Sequence, residues 1–159
     1  MTIPYCATNC YPMSDASLFP FREPADNPGY LLWQVTMRWQ REMKEGLDPL
    51  GLTQTQFSCL AALAYLREVQ FVVYQTEVAA HVGIDRMLAS KVIQRLEKMG
   101  FIERLPHPDD SRAKELRMTE VGTEKLRAAL RIVGSIDEAF FGVLGREEAA
   151  FREGMRRLF

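Results

Sequence analysis

Apolar residues return at helical spacing along most of this chain. From Gly29 to about Glu45, Leu32, Val35, Trp39 and Met43 recur at steps of three and four, which predicts an amphipathic helix. "GLDPLG" follows, and Gly46, Pro49 and Gly51 read as its end. Thr53 can cap a second helix, with Gln56 three residues on to complete a capping box. That helix, "QTQFSCLAALAYLRE", is apolar on nearly every side and is expected at the centre of the core. "FVVY", β-branched and aromatic, reads as a small edge strand. "QTEVAAHVG" reads as a short helix closed by Gly83. Asp85 then caps "RMLASKVIQRLEKMG", which Gly100 closes in the same way.

Two β-like runs come next, in "FIERLPHPDDSRAKELRMT". Phe101 and Leu105 are expected to pack inward on the first and Leu116 and Met118 on the second. The tip from Pro106 to Ala113 then projects into solvent. Thr119 opens a long helix through about Leu144, with Gly134 as a place to kink. A last helix carries Phe151, Met155, Leu158 and Phe159 on one side. The fold class expected is mainly α with one small β-wing. Two helices joined by a tight turn at Gly83 to Asp85 and followed by a hairpin make a winged helix-turn-helix pattern.

The ends differ from this middle. Residues 1–28 hold Pro4, Pro12, Pro20, Pro24 and Pro28. Proline fixes φ and lacks a backbone donor, so an extended arm is expected there, available to pack on a partner subunit. The organisation expected is an arm over 1–28, a winged helix-turn-helix domain over 51–119, and a helical dimerisation region made from 29–50 and 120–159. Leu32, Val35 and Trp39 near one end and the Phe151 stripe near the other are expected to be buried against a second chain.

Charge sharpens the picture. The whole chain carries a net charge of −1. Arg86, Lys91, Arg95, Lys98, Arg104, Arg112, Lys114 and Arg117 nevertheless outnumber the five acids between residues 86 and 117. A basic window on an otherwise acidic body is compatible with a nucleic-acid face. Within "RMLASKVIQRLEKMG", Ala89, Val92, Ile93, Leu96 and Met99 fall on one side at 100° per residue. Met87, Lys91, Gln94 and Lys98 fall on the other, with Arg86 and Ser90 flanking the N-terminal half. A helix entering a major groove leads with its N-terminal residues. Lys91 can donate to guanine and Gln94 can pair with an adenine edge. A solvated polar face accounts for the helix alone equally well.

The hairpin tips the balance. A wing beside such a helix reaches the adjacent minor groove, whose negative potential attracts arginine when it is narrow. Arg112 is the candidate, and Asp110 is placed to orient its guanidinium through a charge-assisted bond. The candidate DNA-binding residues are therefore Arg86, Met87, Ser90, Lys91, Gln94, Arg95, Lys98, Asp110, Arg112 and Lys114.

At these residues the sequence resembles the MarR family of bacterial transcriptional regulators. "QTEVAAHVGIDRMLASKVIQRLEKMGFIERLPHPDDSRAKELRMTEVG" follows that family's pattern, including its D-x-R at Asp110–Ser111–Arg112 and the exit from Leu116 to Thr119. "LTQTQFSCLAALA" is similar to the family's second helix, and the resemblance runs from about Tyr30 to Phe159. It implies a homodimer, a pseudo-palindromic double-stranded operator, and repression relieved by a small, often aromatic effector or by an oxidant. Leu88 stands where many members carry a small hydroxyl residue, so operator sequence does not carry over.

Other chemistry finds little footing. The three cysteines, Cys6, Cys10 and Cys59, form no disulfide framework. Cys59 sits in an apolar run and reads as core. Cys6 and Cys10 keep a thiol-based redox sensor open as an alternative. His81 and His107 lie in different elements, so no metal site is expected, and no cofactor is implied. There is no glycine-rich phosphate loop and no G-x-S-x-G, so no enzyme is expected. A winged-helix module for protein contact without DNA binding is the rival of a different class. Trp33, Trp39, Phe57 and Tyr65 are candidate effector contacts, with a core role as the plainer reading. No apolar run reaches the roughly 20 residues that span a bilayer, and no signal peptide is evident. A cytoplasmic location without membrane contact is the expectation.

Overall fold

The computed structural model describes residues 21–106 and 114–158. It contains six α-helices and one antiparallel hairpin among those residues. The helices are α1 (Pro28–Leu47), α2 (Gln54–Val69), α3 (Gln75–Val82), α4 (Arg86–Lys98), α5 (Glu120–Gly142) and α6 (Glu148–Leu158); the strands are β1 (Ile102–Pro106) and β2 (Lys114–Met118). The chain divides into two compact units, one ending at Trp39 and the other running from Gln40.

In the first unit, a short 3-10 turn over Pro24–Asp26 leads into α1. Asn27 caps that helix: its Oδ1 accepts from the amides of Gly29 at 2.8 Å and Tyr30 at 3.2 Å. α1 continues to Leu47, past the expected stop at Gly46. A Cβ at position 46 would land on the Ile132 and Ile136 side chains of α5. Glycine here serves close helix contact, and the break falls after it, at the 3-10 turn Asp48–Leu50 and left-handed Gly51.

The second unit is built around α2. Thr53 Oγ1 accepts from the Gln56 amide while Gln56 Oε1 accepts from the Thr53 amide, the reciprocal capping box the sequence predicts. α2 packs against α3, α4, α5 and β2. Phe57, Cys59, Leu60, Ala62 and Leu63 are buried along it, with Val73, Val78, Ile93, Leu96, Ile102, Leu116 and Leu126 around them. Each such aliphatic side chain contributes about 1.5–3 kcal/mol by leaving water.

Two expectations need correction. "FVVY" forms no strand of its own. It makes only a bridge between Tyr74 and Glu115 and a bond from the Leu116 amide to the Val73 carbonyl at 2.8 Å. The Phe71 carbonyl is taken by the Arg67 guanidinium, and the Tyr74 amide is turned onto Glu77 Oε2 at the start of α3. The second correction concerns the hairpin. Ile102 pairs with Met118, Arg104 with Leu116, and Leu105 with Glu115. Directly paired residues share a face, so Leu105 points opposite to Leu116 and Met118. Ile102, fully buried, takes the inward place assigned to Leu105, while Phe101 is buried just before the strand begins. α5 runs as one continuous helix through Gly134.

Candidate nucleic-acid interface

The turn between α3 and α4 is fixed by three residues. Gly83 adopts φ 73°, a left-handed conformation that costs glycine little. Its neighbour Ile84 donates its amide back to the Ala79 carbonyl at 3.1 Å. Asp85 then starts α4, its Oδ1 accepting from the amides of Met87 and Leu88, each at 2.9 Å. Ala89, Ile93 and Leu96 are buried on the inner face, with Val92 and Met99 partly so. That phase leaves Met87, Lys91, Gln94 and Lys98 on the outer face, all exposed. Met87 shows 72% of its surface, high for an apolar side chain. Gln94 Nε2 donates to Ser90 Oγ at 3.3 Å, one turn back on the same helix. Arg86 and Arg95 flank this face and are exposed.

The hairpin is bound tightly to α4. Gly100, at φ 74°, turns the chain between them. The Arg104 guanidinium of β1 pairs with Glu97 of α4, its Nε donating to Oε2 at 2.7 Å. That hydrogen bond holds the Glu97 carboxyl below the ordinary carboxylate range. Glu115 of β2 is largely buried and pairs with Arg117 at 2.8 Å and Arg67 at 3.1 Å. The hydrogen bond from Arg117, ahead of Arg67, lowers its pKa too, and Glu115 in turn raises that of Arg117.

Charge counting along the sequence did not separate these roles. Arg104 and Arg117 contribute to the basic window, but each is paired with a glutamate, Arg104 half-buried and Arg117 exposed. Arg86, Lys91, Arg95, Lys98 and Lys114 are exposed and make no ion pair with a described residue. Glu97, Arg104, Glu115 and Arg67 are the site residues that sequence reasoning missed. Opposite charges seven residues apart across a glycine turn were the available signal for Glu97 and Arg104. Asp110 and Arg112 lie outside the described residues.

The sequence comparisons bear on the same region. The MarR family profile matches residues 52–114. The HTH-type transcriptional regulator YdcH of Bacillus subtilis (strain 168), itself uncharacterized, is 41% identical over 138 residues, covering 87% of this chain and 93% of its own. The chain belongs to the MarR family. It is a transcriptional regulator by that membership. Among solved structures, the repressor CouR bound to a 23-mer DNA duplex is similar at TM-score 0.74 and 27% identity, over 84% of this chain and 92% of that one. CouR from Rhodococcus jostii RHA1 bound to p-coumaroyl-CoA matches at TM-score 0.74 and 25% identity, over 87% and 93%.

The remaining candidates in this MarR-family chain fall in different settings. Phe57 is buried in the core. Tyr65 is exposed and its ring lies 5.1 Å from that of His81 on α3. Trp33 is exposed and Trp39 is half-buried on α1. A cleft of about 430 Å³ opens between α2, the end of β2 and α5. It contains none of those four aromatic residues. Leu63, Met118, Leu126 and Leu130 give it apolar walls, and Arg67, Arg117 and Arg127 stand along it. Cys59 is buried, and burial pushes its thiol up to about 11. A thiol so far from ionising is a poor nucleophile. Cys6 and Cys10 lie outside the described residues. Among the described residues no helix is long and apolar enough to cross a membrane.

Proposed function

We propose that this MarR-family regulator is a ligand-responsive repressor that binds a pseudo-palindromic double-stranded operator as a homodimer in the cytoplasm. The observation that carries the reading is the sorting of charge on the DNA lobe. Arg104 and Arg117 of the hairpin are paired with glutamates, whereas Arg86, Lys91, Arg95 and Lys98 around the outer face of α4 make no ion pair with a described residue. Met87, Ser90, Lys91 and Gln94 meet base edges, with Met87 suited to thymine methyls. Arg86, Arg95, Lys98 and Lys114 meet phosphates, which position the protein without reading sequence. Arg112, oriented by Asp110, enters the minor groove.

Residues 51–119 form the DNA-binding lobe in this reading, and 29–50 with 120–159 form the dimerisation region. The exposed Phe151, Met155 and Leu158 of α6 support a second chain there. The effector is a small apolar or aromatic acid, received by the α2–α5 cleft with its anionic end toward Arg127. A salt titration of operator and random DNA tests the reading. Operator binding should be tighter at every salt concentration, and affinity for both DNAs should fall steeply as salt rises. Equal affinity for both would reject sequence-specific binding. A footprint without an inverted repeat of half-sites about 10 base pairs apart would reject the dimer.

A further inference from the structure

Two apolar side chains, Met87 and Leu88, stand next to each other in the first turn of α4, and both are exposed. Their surroundings are cationic. Arg86 precedes them, Lys91 lies one turn on and beside both, and Arg95 follows on the Leu88 side. These three cations are exposed and make no ion pair with a described residue. An apolar patch ringed in this way does not suit an apolar protein surface, where the charges would lose their water without gaining a counter-charge. It suits apolar groups embedded in a polyanion, which a nucleic-acid duplex supplies.

The cap decides what this end of the helix presents. Asp85 Oδ1 accepts from the amides of both Met87 and Leu88, each at 2.9 Å. Those amides are among the donors that a helix N-terminus otherwise offers to an anion. With both taken, and a carboxylate in front of them, the leading turn is not built to hold a phosphate. It presents side chains, and the cap fixes where they begin. Leu88 is 40% exposed and lies between exposed Lys91 and half-buried Val92, so part of it packs on the lobe and part stays open. A side chain held in this way is a stiff probe. Met87, unbranched and more exposed, adapts to what it meets.

One group on the base edges matches such a pair. In the major groove the base pairs show hydrogen-bonding atoms, and only thymine adds an apolar group, its 5-methyl. Consecutive Cα atoms lie about 3.8 Å apart, close to the roughly 3.4 Å between stacked bases along a strand. Met87 and Leu88 can therefore meet methyls on adjacent pairs. They diverge by roughly 100° around the helix axis, which keeps them from crowding onto one methyl.

We propose that Met87 and Leu88 read two thymine methyls on adjacent base pairs of each half-site, which makes Leu88 a specificity-determining residue beside Met87. The proposal rests on the DNA-binding role given to α4 above. The full-length protein first selects a site from a library of random duplexes. Each thymine of the selected duplex is then replaced in turn by uracil, which keeps the hydrogen-bonding edge and loses only the methyl. Two neighbouring positions in each half-site should bind about fourfold more weakly as uracil, the worth of one buried carbon. In Met87→Ala the penalty at one of these positions should vanish, and in Leu88→Ala the penalty at the other. The uracil scan of the natural protein needs no variant, and Met87 is exposed enough to be replaced without unfolding the lobe. A selected site whose thymines can all be replaced without loss overturns the proposal and leaves sequence-specific binding intact. Uracil penalties undiminished in both variants assign the methyls to other side chains and overturn it as well. A selection that enriches no sequence removes the DNA-binding role itself, and the proposal falls with it.

Discussion

Replacing Gly122 with alanine sets two effects of opposite sign against each other. Gly122 is the third residue of α5, where alanine gains up to about 1 kcal/mol in helix propensity. An added Cβ, however, would overlap the Phe101 carbonyl oxygen and lie 2.8 Å from its carbon and 3.0 Å from Phe101 Cα. These are backbone atoms, so no side chain can swing aside. Relief requires the start of α5 to move away from residue 101, against the two bonds that hold it there. Thr119 donates its amide to Phe101 O at 3.0 Å and its hydroxyl to Gly100 O at 2.7 Å. Losing each costs about 1 kcal/mol, and overpacking adds about 1–3 kcal/mol. The clash wins, and a net loss of about 2–4 kcal/mol is expected. Urea denaturation at fixed protein concentration reads it as a lower midpoint at unchanged slope. Gly134→Ala, in the same helix, is the internal control. A Cβ there meets nothing within 4 Å, so stability should rise by about 1 kcal/mol. A Gly122→Ala midpoint at or above that of the natural protein would refute the argument.

Gln94→Ala should weaken operator binding by about 1–3 kcal/mol while leaving random DNA nearly unaffected, as measured by competition gel shift. Lys98→Ala should weaken both DNAs and lower the salt slope by about one per subunit if it removes one phosphate contact. Glu97 and Glu115 both have pKa values below the ordinary 4.5 in the folded chain, so their pairs stabilise it fully above 4.5 and progressively less as pH falls through the depressed values. Glu97→Gln should therefore show a shallower loss of stability on acidification than the natural protein, by denaturant midpoint against pH. Alkylation of Cys59, followed by mass mapping, should be slow in the folded protein and fast in denaturant; rapid labelling of the folded chain would contradict its burial.

Capping residues were readable because they act over three or four positions. Thr53, Asp85 and Thr119 each bond an amide of the next turn, and the sequence places donor and acceptor side by side. The outer face of α4 was readable for a similar reason, since helical phase follows from spacing alone. Strand facing in the hairpin was not. One residue of offset after Gly100 turns every side chain over, and pairing with β2 and burial of Ile102 decide that offset. Gly46 was misread because what keeps it helical is the approach of Ile132 and Ile136, far along the chain. Arg104 and Arg117 add to the basic window in the sequence, and only the fold brings Glu97 and Glu115 beside them.

The bond between Glu97 and Arg104 has a bearing on how this regulator can change state. Only Met99, Gly100 and Phe101 separate α4 from β1, and the ion pair closes that short loop from the side. The helix and the base of the hairpin thus form one piece of fixed pitch. Under the proposed DNA reading, the distance between the two grooves that α4 and the wing would reach is set within a single subunit at folding. A signal arriving from elsewhere in the protein has no joint here to bend. It must carry the whole piece, by rotating or displacing it as a unit, and the spacing between two such pieces is then the quantity that an operator measures.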